Sequence, residues 1–122
     1  MEAIELRIGN WYDDNGVARQ VTPSVIQEVF EAQRTWCEPI KLTEKWIENF
    51  GFVFRNTNKQ YGWYLEVSKN RVLTWCHSKE VSLDFDLEDY DYNNTLFDFH
   101  CQFVHQLQNI YFMLTNKDLI IN

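Results

Sequence analysis

The chain has 122 residues, 45% apolar and 16% aromatic, with only four glycines and two prolines; this excludes disordered and fibrous classes and leaves one domain, residues 1–122, around one core. No apolar run approaches the roughly 20 residues of a membrane-spanning helix, so no membrane partner is expected. The formal net charge of −7 is unevenly placed: residues 1–79 hold ten Lys/Arg and ten Asp/Glu, whereas residues 80–122 hold only Lys117 against eight acids. A field of that sign repels nucleic acid and attracts basic surfaces, so no direct nucleic-acid binding is expected.

In chain order, IELRIGNWY (4–12) alternates Ile4, Leu6 and Ile8 inward and predicts a strand. DDNG (13–16) carries hairpin chemistry, and VARQV returns as the second strand. Thr22 followed by Pro23 starts a helix whose apolar face runs through Val25, Ile26, Val29, Phe30 and Gln33/Trp36, ending before Pro39. Thr43 is positioned to cap a second, short helix, with Leu42 and Ile47 at hydrophobic-staple spacing and Gly51 as its left-handed stop.

Residues 52–103 predict five strands: FVFR, YGWYLEVS, RVLTWCH, EVSLDFDL and TLFDFHCQF. SKNR (68–71), with Lys69 and Asn70 central, and HSKE (77–80) supply hairpin turns. Phe97, Phe99, Cys101 and Phe103 keep period 2, and from Val104 the spacing changes to Leu107, Ile110/Tyr111 and Leu114, a helix. Asn116 suits its left-handed end, and DLIIN adds a short terminal strand. The fold class is α+β: a curved, mostly antiparallel sheet of about six to seven strands, with two N-terminal helices and one C-terminal helix packed on it.

Cys37, Cys76 and Cys101 form an odd set without paired spacing, and the start MEAIELRIGNW lacks the features of a secretory signal, so a cytoplasmic protein with reduced thiols is expected. Nucleophilic catalysis would need Cys76 with His77 or Cys101 with His100, but neighbours on a strand face opposite sides. A cross-strand Cys/His cluster remains open beside the simpler role of buried thiols. No CxxC or HxxxH spacing supports zinc. Same-face carboxylates on a strand lie about 6.8 Å apart, too far for Asp84, Asp86 and Glu88 to share one ion without a third element. Hence no catalytic residue, no metal and no cofactor is expected, and the chain is not read as an enzyme. His105, Gln108 and Asn109 share one helix face, an uncharged polar patch that is either solvated or covered.

The segment EVSLDFDLEDYDY (80–92) holds six carboxylates and no lysine or arginine. Val81, Leu83, Phe85 and Leu87 alternate with Ser82, Asp84, Asp86 and Glu88, predicting a strand with one buried and one acidic face. Two explanations stand against each other: an edge strand charged to discourage aggregation, or a surface for a basic partner. Edge strands mostly use lysine or mixed charge, which favours the partner surface. Asp84, Asp86, Glu88, Asp89 and Asp91 would then meet basic side chains, with Tyr90 and Tyr92 as aromatic anchors. A row of carboxylates spaced like successive phosphates can enter an Arg/Lys channel built for RNA or DNA.

Three segments in order, IELRIGNW, PIKLTEKWIENFGF (39–52) and FVHQLQNIYFMLTNKDLII (103–121), resemble a family of small, uncharacterised proteins of Bacteroidetes phages and prophages. The family pattern runs ELRIGN, PIPLTEEWLxxFGF, YVHQLQNLYFALTGxEL; Lys41 replaces its second proline and Asn116 its glycine. The resemblance spans nearly the whole chain, supplies no catalytic residue, and extends to a prophage group containing a type VI-B anti-CRISPR. It implies a phage-encoded anti-defence role in the bacterial host cytoplasm, with a CRISPR effector protein or its guide-RNA complex as partner. An oligomeric phage structural or replication accessory protein is the alternative.

Overall fold

The computed structural model describes residues 7–30, 38–57, 60–77, 79–85 and 95–121. The DDNG turn forms as its chemistry demands: Asn15 and Gly16 both take positive φ, 52° and 90°, joining β1 (Trp11–Asp14) to β2 (Val17–Gln20) in antiparallel register from Asp14↔Val17 to Trp11↔Gln20. The Gly16 N–H donates to Asp13 Oδ1 at 2.7 Å, and Arg19 pairs with Asp14 at 3.1 Å.

The first strand starts at Trp11, later than its alternation predicts. Arg7–Asn10 form a turn: the Asn10 N–H donates to the Arg7 carbonyl at 2.9 Å, the Arg7 N–H donates to Asn10 Oδ1 at 2.6 Å, and Gly9 takes φ 93°. Ile8, expected inward, is 55% exposed because this turn rotates it out, while Asn10 is fully buried in its place. Ile4 and Leu6 lie outside the described residues.

Helix α1 (Pro23–Phe30) begins after Thr22, whose hydroxyl accepts from the Val25 N–H at 3.4 Å. Val25 and Ile26 pack with Tyr12 and Val21 in a small cluster against the hairpin. Gln33 and Trp36 lie outside the described residues. Helix α2 (Glu44–Asn49) has Thr43 in extended N-cap conformation, but the hydroxyl makes no capping bond, contrary to expectation. The staple holds, with Leu42 and Ile47 both buried in the main core. Gly51, at φ 93°, ends α2 in a Schellman arrangement: its N–H donates to the Glu48 carbonyl, and the Phe52 N–H donates to the Ile47 carbonyl.

Strands β3 (Val53–Asn56), β4 (Tyr61–Ser68), β5 (Arg71–Trp75), β6 (Glu80–Phe85) and β7 (Thr95–His100) form one antiparallel sheet in sequence order, separate from the two-stranded β1–β2 ribbon. The seven strands are thus divided five and two. β5 stops at Trp75, and His77 enters the turn at φ 52°. β7 stops at His100, because residues 102–104 pair instead with 40–42: the Leu42 N–H donates to the Gln102 carbonyl and the Val104 N–H to the Ile40 carbonyl, both 2.8 Å.

Helix α3 (Val104–Thr115) follows at once. Gln106 Oε1 accepts from the Gln102 and Phe103 N–H groups, which fixes the strand-to-helix corner. Asn116 ends it at φ 57°, its N–H donating to the Phe112 carbonyl at 2.7 Å. No strand forms over 117–121; Leu119 is buried and Ile120 is exposed. The main core joins Leu73, Trp75 and Val81 of the sheet, Ile47, Phe50 and Phe52 around α2, and Val104 and Leu107 of α3.

Candidate partner-binding face

The acidic strand is β6, and the structure places it inside the sheet, hydrogen-bonded to β5 on one side and β7 on the other. Over Glu80–Phe85 it is therefore no edge strand, and protection of an exposed edge does not explain the charges of Glu80 and Asp84. Val81 is fully buried and Leu83 packs on the core, as the alternation predicts. Ser82 and Asp84 face the other way, alongside Thr74 and Val72 of β5 by the register Thr74↔Ser82 and Val72↔Asp84.

Asp84 is not the exposed carboxylate that its position predicts. It is 7% exposed, and its Oδ2 accepts from the Thr74 hydroxyl at 2.7 Å. A register shift between Leu83 and Asp84 against β7 sets it apart from the regular ladder. Its Oδ1 is buried with no hydrogen-bond partner among the described residues. The neighbouring Tyr64 phenol is pushed above its ordinary pKa, first by burial and then by the Asp84 charge. Arg55 of β3 lies over the Tyr64 ring at 4.6 Å. Asp86, Glu88, Asp89, Tyr90, Asp91 and Tyr92 lie outside the described residues.

Asp98 of β7 extends the acidic face and is exposed; its Oδ1 accepts from the Ser82 hydroxyl at 2.5 Å. The registers Thr74↔Ser82 and Ser82↔Asp98 put residues 74, 82 and 98 in one row. Thr74 and Tyr64 belong to the same row by the register Tyr64↔Thr74.

The uncharged patch on α3 is consumed internally. Gln108 Oε1 accepts from the Trp11 N–H at 2.8 Å, and its amide nitrogen donates to the Gly9 carbonyl at 3.0 Å. Asn109 Oδ1 accepts from Asn10 at 3.0 Å and from Arg7 Nε at 3.2 Å. Arg7 also donates to the Gln108 carbonyl and to Asp118, and lies 4.3 Å from the Phe112 ring centroid. RIGN and HQLQN thus interlock as a structural clamp. His105 is buried, with its ring stacked on Phe103.

The thiol and imidazole pairs do not assemble. Cys101 is fully buried, donates to the Phe103 carbonyl at 3.8 Å, and has its pKa pushed up to about 12 by burial. Cys76 is exposed beside the end of β5, and β6 separates that strand from His100 on β7. Among the described residues no group of three or more His, Cys, Asp or Glu side chains is arranged to hold a metal. Among the described residues no helix is long and apolar enough to cross a membrane.

Both outer strands expose apolar side chains: Val53 and Phe54 on β3, Leu96 and Phe97 on β7. Phe97, on the apolar side of the alternation, is 58% exposed on β7, an outer strand among the described residues. Compared with known proteins, the chain matches no family model, no curated protein and no solved structure.

Proposed function

We propose that this is a phage- or prophage-encoded anti-defence protein that acts in the bacterial host cytoplasm without catalysis of its own. It binds and inhibits a CRISPR RNA-guided nuclease effector of type VI-B through an acidic, aromatic-containing face. The observation that carries this is the charge segregation: six acids within residues 80–91 and no lysine or arginine among them. The interior position of β6 removes edge protection as a reason for its own two acids, Glu80 and Asp84. The acidic face competes for the Arg/Lys surface that the effector uses for RNA, with Tyr90 and Tyr92 as anchors.

The test is RNA cleavage by a reconstituted type VI-B effector with its guide. The protein slows cleavage and co-elutes with the effector. The triple reversal Asp86→Lys, Glu88→Lys, Asp91→Lys weakens inhibition by about tenfold or more. It leaves the melting temperature within about 3 °C, since it also relieves repulsion inside the acidic run. Undiminished inhibition by the triple variant would sink the acidic-face assignment.

The second reading, an oligomeric structural or replication accessory module, is favoured by the exposed apolar residues on β3 and β7. Light scattering after size exclusion separates them: a stable multimer at micromolar concentration supports the module.

A further inference from the structure

Strand β7 ends the five-stranded sheet, and the chain itself begins to fill the position beyond it. The Cys101 N–H donates to the Lys79 carbonyl at 2.7 Å, which continues the ladder with β6. Backbone groups along a strand alternate sides, so Gln102 points away from β6, and its carbonyl accepts from the Leu42 N–H at 2.8 Å. The same alternation, with the registers Glu80↔His100 and Ser82↔Asp98, turns the N–H and C=O of His100 and Asp98 outward. No described strand lies beyond them, and Leu96, Phe97, Asp98 and His100 are all exposed. Such a row of outward backbone groups is a template for another strand.

The segment that already takes part of this edge shows which chemistry suits it. Residues 40–42 are Ile-Lys-Leu: Leu42 is buried, Ile40 packs on the main core and Lys41 is exposed. Alongside β7 the surface is laid out in the same way. On the core side a groove of about 330 Å³ opens between β7 and α3, with Phe97, Phe99 and Ile110 in its wall. On the other side Asp98 is exposed, in a stretch (residues 80–122) that holds one lysine against eight acids. Apolar side chains suit the groove and cations suit the acidic side. A second copy suits them less: β7 holds no lysine or arginine to offer Asp98, and pairing two β7 strands sets two acidic thirds side by side.

We propose that an extended segment of a partner protein, alternating Lys or Arg with apolar side chains, adds to the outer edge of β7 as a sixth strand of the sheet. Its backbone pairs with Asp98 and His100, its apolar side chains enter the groove beside α3, and a cation meets Asp98. This contact is independent of the effector reading: it uses the edge of β7, not the acids after residue 85.

The experiment is titration of the ¹⁵N-labelled full chain with the capped peptide Lys-Val-Lys-Val-Lys-Val-Lys. Two control peptides carry Glu in place of every Lys, or Pro in place of the central Val, which removes a ladder N–H. The Lys/Val peptide binds saturably, and the amides of Asp98 and His100 shift most and gain protection from hydrogen exchange. Asp98→Lys weakens binding by about tenfold or more, and Phe97→Ser gives a smaller loss in the same direction. Absence of saturable binding at millimolar peptide overturns the proposal, as does equal binding of either control peptide. So does unchanged affinity in a folded Asp98→Lys variant. Protection of the same amides without peptide, rising with protein concentration, assigns the edge to a second copy and overturns it as well.

Discussion

At Cys101 one buried atom has two measurable consequences. The thiol keeps its proton in the fold up to about 12, whereas its ordinary pKa is 9.0. Between those values the unfolded chain binds fewer protons than the folded one, so stability falls as pH rises through the window. Denaturation midpoints are therefore expected to drop from pH 9 towards 11, with a shallower slope in Cys101→Ala. At neutral pH, peptide mapping after brief maleimide treatment should find Cys76 modified and Cys101 protected, since the Cys76 thiol is exposed and the Cys101 thiol is buried. Gln108 provides the second residue-scale case. Both ends of its amide are engaged and it is 3% exposed, so Gln108→Ala strands the Trp11 N–H, while the Gly9 carbonyl keeps the Gln20 amide at 3.1 Å. We expect a loss of about 1–3 kcal/mol in urea denaturation, the cost of one orphaned donor.

At the scale of elements, β4 runs close against β5 at Gly62. Its φ is 135°, and an added Cβ would come within 3.0 Å of the Trp75 carbonyl. Gly62→Ala therefore strains the backbone and presses on an inner strand of the five-stranded sheet, lowering the melting temperature by several degrees, about 1–3 kcal/mol. Asn116→Gly is the opposite case: the left-handed φ of 57° costs glycine nothing, so stability should stay level or rise by a few tenths of a kcal/mol, about the C-cap preference. Helices and hairpins of this chain were legible because their signals are local: Asn-Gly at a turn, Pro after Thr, and the switch from period 2 to helical spacing at Val104. Thr43 shows the limit. The sequence places it at the N-cap, but hydroxyl orientation answers to surroundings that local spacing does not encode.

For the whole molecule, the decisive fact is strand order. β6 carries carboxylates in the interior of a sheet, where a charged strand offers no protection against edge pairing. The outer strands are instead β3 and β7, which expose Val53, Phe54, Leu96 and Phe97. If these edges drive self-association, Phe97→Lys with Phe54→Lys should convert any multimer to monomer in light scattering, leaving the far-ultraviolet circular dichroism spectrum unchanged. Inhibition of the effector, in contrast, should survive those substitutions and respond to the acidic reversal.

The α+β class, the antiparallel strands, the three helices and the crowding of negative charge after residue 80 follow from the sequence alone, since each depends on periodicity, turn chemistry or counting. Tertiary structure alone decided which groups meet. It put Asp84 against Thr74 and out of solvent, turned Ile8 outward at a turn, and locked Gln108 and Asn109 onto Arg7–Trp11 nearly a hundred residues earlier in the chain. Alternation assigns a side chain to one of two faces; only the packing of other elements on those faces determines whether water, a carbonyl or a partner lies beyond.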